Sequence, residues 1–566
     1  MAWERDWAPR HWTGFTLVAA ALMLAAPLWS VWAPAMPDYP AHLATFAMIQ
    51  QGTGTALYHL HWSFVPNLAS EVLVPLLARL TGLVVATKLF LTAAIFLWVL
   101  GPGAIHRALY GRTGIAPLFG AFFAYNANFI WGFFNYYFAA GLSFAIFAGW
   151  IATGEERRAQ RVSGSSGPAK AMNAASLGER PAQHPALSVI RLAGFALAVT
   201  ALYFCHIFAA ASLLLMLIGF EIAQNIREED FKFALLARRA LRVALIYLPS
   251  ALAFVFLRPR SNEDGSVEFN LADTMLDRFE SLMQHAFDNS DYVLPLILFG
   301  GLALALILRK ARLHPALWIT LGLLLLGAVG APEWALGGWA VHLRLPAVFG
   351  ALLFAAAELR MMPPVRASLA AFALMMIAAN AILLAQSWLG YDRHYREFQA
   401  SLEEIPRASR LLTVLDGNAI GERSDQPYWH MAEFAIPERG VFTPLLFTTK
   451  GQHVVQWNQP YARYAAKTAQ QGSPPDIDEL EFLARGQMDA DAEMKESVPY
   501  LDHFQCHFDI AVVVHLDGKR SPVPAMLRLR HAGSFFSFYD IVAGPEHRPG
   551  ERSEPSAVRP SDECSR

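Results

Sequence analysis

Up to about Trp388 the chain alternates between apolar runs and short charged clusters, and runs of about 20 apolar residues match the hydrocarbon thickness of a bilayer. Read this way, the pattern predicts about eleven membrane helices, near 13–33, 84–105, 114–130, 132–153, 189–204, 207–224, 240–257, 292–308, 315–331, 341–359 and 367–388. The 189–224 stretch is long for one crossing and short for two, and it breaks most naturally at Cys205-His206. Between the first two spans, "PNLASEVLVPLLARL" has its apolar positions on one side of a helix and predicts an amphipathic helix lying along the membrane surface.

Beyond Trp388 charges are spread as in a soluble domain, and the periodicity changes. "YDRHYREFQASLEEI" has helical spacing, "RLLTVL" and "HFDIAVVVHL" read as buried strands, and "YWHMAEFAI" fits a short helix. "SPVPAMLRLRHAG" reads as a helix with a glycine stop feeding a last strand, "SFFSFYDIV". The expected organisation is a transmembrane domain over 1–390, a small α/β domain over 391–545 and a disordered Pro-rich tail over 546–566. Loop 154–188, rich in Ser, Gly, Ala and Pro, reads as a flexible linker.

Composition agrees. Of 566 residues 55% are hydrophobic and only 16% charged, against about a quarter charged in soluble domains. A net charge of −2 gives no case for nucleic acid. Lysine and arginine cluster in alternate loops: Arg107 and Arg112, Arg157 to Arg180, Arg227 to Arg242, Arg309 to Arg312, Arg360 and Arg366. The positive-inside rule then puts the N-terminus in the cytoplasm and the C-terminal domain outside, in a bacterium the periplasm of an inner-membrane protein. The first span is too long for the h-region of a signal peptide, so it reads as retained although Ala33-Pro34-Ala35 loosely resembles a cleavage site. Three cysteines make no disulfide framework or metal spacing. Cys506 and Cys564 can pair if the domain lies outside the cytoplasm.

The candidate chemistry gathers at helix mouths on the outer side. Asp38 follows span one in "APAMPDYPAHLATF", held between Pro37 and Pro40, where it can cap the next helix or act as a base. His42 lies one helical turn on, within reach of the same face. Asn126, Asn128 and Asn135 sit among aromatics in "AYNANFIWGFFNYY", either forming turns or offering partners to sugar hydroxyls. His206 at the span five/six break can bind a phosphate or satisfy a helix end. The loop "APEWALGGWAVHLRLP" supplies Glu333, His342 and Arg344. Arg344 is a cation where positive charge is otherwise avoided, fit to grip a phosphate or to snorkel to headgroups. Glu71 and Lys88 read as structural and snorkelling residues.

These residues together resemble a GT-C type polytopic glycosyltransferase: span one followed by "PDYPAH", an amphipathic helix before span two, "GFFNYYFAAGLSFA" opening span four, "YFCHIFA", the late "PEWALGGWAVHLRLP" loop and a terminal α/β domain. The resemblance implies a GT-C-like fold, a polyprenyl-phosphate-linked sugar as donor and an envelope lipid or polysaccharide as acceptor, within membrane lipid. It implies Asp38 as the base and Arg344 as the lipid-phosphate contact; from the residues themselves, His42 is the candidate beside Asp38, and His206, Glu333, His342, Asn126 and Asn135 are candidate substrate contacts. Many relatives carry a second acid in the next outer loop, often tied to a divalent metal. "YNANFIWGF" has none, so no metal ligands are assigned and a divalent metal cofactor stays open. Two other readings fit the pattern: a transporter or flippase of a lipid-linked intermediate, and a non-catalytic membrane assembly protein.

Overall fold

The computed structural model describes residues 12–52, 57–165, 185–227, 233–259, 267–271, 274–286, 289–290, 292–417, 423–448, 450–458, 474–485 and 500–542. The longer helices are α1 (Trp12–Ser30), α2 (Tyr39–Gln51), α3 (Ala69–Thr81), α4 (Leu83–Tyr110), α5 (Phe134–Ser165) and α6 (Pro185–Cys205). They continue as α7 (Ile207–Ile226), α8 (Phe233–Leu252), α9 (Val293–Ile307), α10 (Trp318–Gly330), α11 (Leu345–Ala356) and α12 (Pro363–Ala400). Among the described residues six helices are long and apolar enough to cross a membrane, and four shorter apolar helices accompany them.

Their outward faces are as apolar as their inward ones. On α8, Val243, Ile246 and Ser250 are buried, whereas Leu241, Leu245, Leu248 and Leu252 point away from the protein. On α9, Val293, Leu296, Ile297, Leu304 and Ile307 do the same. Exposed apolar surface on that scale needs a hydrocarbon solvent, which makes this a multi-pass membrane protein. Inside the bundle Gly141 lets α5 close on α4, since a Cβ there would lie 2.8 Å from that of Leu97.

Three expectations are corrected. The 114–130 span is not one helix: Ala116–Gly120 passes into a 3₁₀ turn, the chain bends, and a second short helix runs over Ala127–Trp131. Asn126 causes the restart, accepting the Asn128 N–H with its side chain, and Gly132, at φ 91°, causes the stop. Secondly, α5 does not end near 153 but continues to Ser165, so part of loop 154–188 is helical. Residues 166–184 and the tail 546–566 lie outside the described residues. Thirdly, "MLRLRHAG" is a strand: Arg528 and Arg530 are ion-paired with Asp540 across a hairpin, a pairing that period-two spacing permits and a helix would break.

α12 carries the chain from the bundle into the C-terminal domain without a break, across the 390/391 boundary drawn from the sequence. That domain holds a four-stranded sheet of β1 (Leu411–Asp416), β2 (Ile510–His515), β3 (Leu527–Ala532) and β4 (Phe536–Ile541), in the order β3-β4-β2-β1. The β1–β2 pair is parallel and the other two are antiparallel. β1 and β2 are buried along their whole length, which explains their unbroken apolar sequences. Cys205 is a free thiol and Cys506 is disulfide-bonded; Cys564, considered as its partner, lies outside the described residues.

The domain is stapled over one end of the bundle. Tyr58–Leu60, just before α3, pairs antiparallel with Val455–Trp457. The Tyr58 hydroxyl accepts the Thr443 N–H at 2.9 Å. Gln452 donates to the carbonyl of Gly337 in the late loop before α11. These ties close a roof over the helix mouths where the candidate residues lie.

Candidate functional site: a cavity under the C-terminal domain

Between the bundle mouth and the roof lies a cavity of about 720 Å³. Asp38, His42, Asn135, His206, Glu333, His342 and Arg344 all line it, so one space gathers side chains from sequence positions more than 300 residues apart. Asn126 is buried and does not line it; its side chain serves Asn128 and the Phe123 carbonyl.

Asp38 sits at the start of α2, with Pro40 in the first turn, yet its carboxylate makes no capping bond. The backbone places it: Asp38 N–H donates to the Trp131 carbonyl at 3.1 Å, and His42 N–H donates to the Asp38 carbonyl at 3.0 Å. Gly132 presses against it, and a Cβ added there would come within 3.1 Å of the Asp38 Cβ. Asp392 of α12 fixes the approach to this loop by accepting the N–H groups of Trp32 (2.7 Å) and Ala33 (3.1 Å). The carboxylate itself has no hydrogen-bond partner among the described residues. Burial pushes its pKa up to about 7, with His430 pulling the other way.

His42 lines the same cavity, its ring held by other partners. It stacks on Phe134 at 4.4 Å between ring centroids and bonds to the Gly132 backbone. Burial is the main cause that lowers its pKa to about 3, helped by His453. The imidazole whose charge acts on Asp38 is His430, from the C-terminal domain, which lines the same cavity and whose Nδ1 lies 3.4 Å from Glu433 Oε1. Nothing in "YWHMAEFAI" distinguishes these two residues in the sequence; only the three-residue His–Glu spacing hints at a pair.

Arg344 begins α11, and its side chain turns back into the protein, 8% exposed. Nη1 donates to His206 Nε2 at 2.8 Å and Nη2 to the Trp339 carbonyl at 3.0 Å. The guanidinium lies over the rings of Phe208 (4.8 Å), Tyr136 (5.1 Å) and Phe133 (5.6 Å). No carboxylate pairs with it among the described residues, and its Nε is buried without a partner. Snorkelling to the surface is therefore not its conformation.

His206 leaves the same corner short of acceptors. Phe208 N–H points at its Nδ1 (3.2 Å) and Arg344 at its Nε2. A neutral imidazole has only one acceptor nitrogen, so one of those two donors goes unmet. The buried corner thus holds more donors than acceptors around a guanidinium that pairs with no carboxylate among the described residues.

The remaining residues support the walls. Glu333 accepts the Trp339 indole N–H at 3.3 Å, and the buried His342 has an unpartnered Nδ1. Asn135 donates to Glu71 at 2.8 Å and to the Asn67 carbonyl at 3.2 Å, tying α3 to α5. Burial raises the Glu71 pKa to about 7, with the Asn135 bond opposing it. Lys88 donates to the Val31 carbonyl, at the foot of the Asp38 loop. Among the described residues no group of three or more His, Cys, Asp or Glu side chains is disposed to hold a metal ion.

These features define a multi-pass helical bundle with a carboxylate and a guanidinium on the wall of one roofed cavity. The fold is similar to the crystal structure of ArnT from Cupriavidus metallidurans bound to undecaprenyl phosphate, with 13% identity, a TM-score of 0.45, and 95% of this chain and 100% of that chain covered. It is similar to the apo state of the same ArnT at 12% identity and a TM-score of 0.42, covering 94% and 99%. At these values the likeness carries no argument about chemistry. No family model matches the chain, and no curated protein is similar to it in sequence.

Proposed function

We propose that the protein is a membrane glycosyltransferase that moves a sugar from a polyprenyl-phosphate donor to a hydroxyl of an envelope lipid or polysaccharide, on the side facing away from the cytoplasm. One observation carries this reading: the Asp38 carboxylate and the Arg344 guanidinium, neither paired with an opposite partner among the described residues, share a single cavity. Its size falls within the roughly 300–1,000 Å³ of small-molecule sites.

In the mechanism this supports, the donor phosphate lies against Arg344 and His206, with its lipid chain running out among the helices. Asp38 accepts the proton of the acceptor hydroxyl as that oxygen attacks the anomeric carbon. The bond from that carbon to the phosphate oxygen breaks, and the electron pair leaves with the phosphate. Charge grows there from one negative to two, where Arg344 stabilises it more than in the ground state. Attack from the Asp38 side and departure toward Arg344 give inversion. Trp131, Trp339 and Trp429 line the same cavity and offer aromatic surface to a sugar.

The experiment is transfer of labelled sugar from polyprenyl-phosphate donors by purified wild type, Asp38→Asn and Arg344→Ala of matched monodispersity. A general base contributes on the order of 10²–10⁴-fold, so Asp38→Asn is expected to lose at least 100-fold. Full activity in that variant would overturn the base assignment. Lipid translocation by reconstituted Asp38→Asn, with no transfer by wild type, would make the protein a flippase.

A further inference from the structure

The roof of the cavity is more than a cover. One of its elements, the 3₁₀ turn Met431–Ala435, packs on α2, the helix that Asp38 precedes, and is anchored by Phe434 against the rings of Trp32 (5.3 Å) and Tyr395 (5.2 Å). His430 precedes this turn and is buried, with its ring against Phe447 at 5.2 Å. Its Nδ1 is turned to Glu433, which leaves Nε2 for the cavity side. Glu433 is 1% exposed; its Oε1 has His430 as sole partner among the described residues, and its Oε2 has none. A carboxylate so enclosed needs a cation, and His430 is the one at hand.

We propose that His430 and Glu433, supplied by the C-terminal domain, complete the base: Glu433 holds His430 as an imidazolium, and that imidazolium holds Asp38 as a carboxylate aimed into the cavity. His430 and Glu433 are thus positioning residues for the transfer reaction proposed above, on which this inference rests. The bundle alone carries only half of the basic group.

The surrounding charges agree. Burial acts on His430 to lower its pKa, but the Glu433 hydrogen bond and charge, together with Asp38, outweigh it and raise it. The other imidazoles nearby, His42 on α2 and His453 on the roof, are driven by burial to about 3 and about 4 and are neutral. Tyr58 and Tyr500, which feel the charge of Glu433, are neutral phenols raised beyond the ordinary range by burial. His430 is therefore the cation that Asp38 meets. When Asp38 takes the hydroxyl proton, the imidazolium keeps its own, and the proton on Asp38 leaves with product release.

The test uses the full-length protein with His430→Gln and Glu433→Gln, whose folding is checked by thermal unfolding. An opposite charge at close range shifts a carboxyl by about 1–3 pH units. The acid limb of kcat against pH is thus expected to move up by at least about one unit in His430→Gln, and less in Glu433→Gln. Rates should recover at alkaline pH, and KM for the lipid donor should stay unchanged. An infrared titration of the Asp38 carboxyl, taken as the difference from Asp38→Asn, should move in parallel without any need for turnover. A uniform loss at all pH values, or an unmoved limb and an unmoved carboxyl band, overturns the inference. A shifted band in a protein that transfers no sugar keeps the pair and removes the glycosyltransferase reading. Transfer that depends on Asp38 but ignores His430 does the reverse.

Discussion

Arg344 donates through Nη1 to His206 Nε2 at 2.8 Å, and the pair is buried with no acid paired to it among the described residues. The geometry asks for an anion, because the buried Arg344 Nε and one of the donors around His206 have no acceptor. We predict that Arg344→Ala weakens binding of a polyprenyl phosphate by about 3 kcal/mol, near 150-fold, the scale of one or two charge-assisted hydrogen bonds. Arg344→Lys should recover only part of this, since an ammonium lacks the planar fork. Quenching of the cavity tryptophans on titration with short-chain polyprenyl phosphate measures it. Equal affinity in wild type and Arg344→Ala removes the anion site.

Asp38 gives a pH dependence of known sign. With its pKa pushed up to about 7, the carboxylate form gains population as pH rises, so kcat should climb through neutrality and fall away below it. Stability runs the opposite way. The native carboxyl holds its proton more tightly than the unfolded one, so between the ordinary value of 3.8 and about 7 raising the pH costs stability. Asp38→Asn is then expected to unfold at a higher temperature than wild type at pH 8 while losing transfer activity. Scanning calorimetry at pH 5 and pH 8 decides it: a stabilisation that is absent at pH 8, or equal at both values, contradicts the burial argument.

The loop bearing Asp38 depends on a residue far away in sequence. Asp392 Oδ1 accepts the N–H groups of Trp32 and Ala33, while its Oδ2 takes the Arg396 Nε at 2.7 Å. Removing one buried acceptor strands two backbone donors, at about 1–3 kcal/mol each. Asp392→Ala is expected to lower the unfolding temperature and to reduce kcat more than 10-fold with little change in donor affinity. Arg396→Ala, which touches only the more exposed side, should do far less. Parallel kinetics and lipid binding separate the two; a pure loss of donor affinity in Asp392→Ala shows that the residue does not hold the base.

Much of this was legible in the sequence because a membrane imposes a coarse and strict rule. Apolar runs mark the helices, and ionisable groups at their mouths must find a cavity, so Asp38, His206 and Arg344 stood out by residue type and place. The break at Cys205-His206 was visible for the same reason. The bend in 114–130 was not, since Asn126 and Gly132 act through backbone geometry within an otherwise apolar run. His430 and Glu433 were hidden because a soluble domain has many histidines and acids, and only the fold brings His430 to the cavity that Asp38 lines, with Glu433 behind it. Spacing pointed to His42 as the neighbour of Asp38. In the fold that ring stacks on Phe134 and bonds to the Gly132 backbone.

The sheet of the C-terminal domain contains a second ordered chain of side chains, and its burial determines what it does. Asp416 ends β1, His515 ends β2 beside it, and Ser537 lies on β4. His515 Nδ1 donates to Asp416 Oδ2 at 2.6 Å, which leaves Nε2 to accept the Ser537 hydroxyl at 2.9 Å. Asp416 Oδ2 also accepts the Ser521 N–H at 3.1 Å. The order is that of a serine nucleophile with its base and orienting acid. All three are buried, however, with Asp416 and Ser537 at 0% exposure, and none lines the cavity. A nucleophile needs room for a substrate carbonyl and donors for an oxyanion; this chain instead joins three adjacent strands. We predict that Ser537→Ala leaves transfer activity unchanged and that wild type resists labelling by a fluorophosphonate. His515→Leu strands the Asp416 carboxylate in the sheet and should destabilise the protein by about 3–5 kcal/mol, the range for a buried ion left without its partner. Labelling at Ser537 would turn this structural strut into a second active centre.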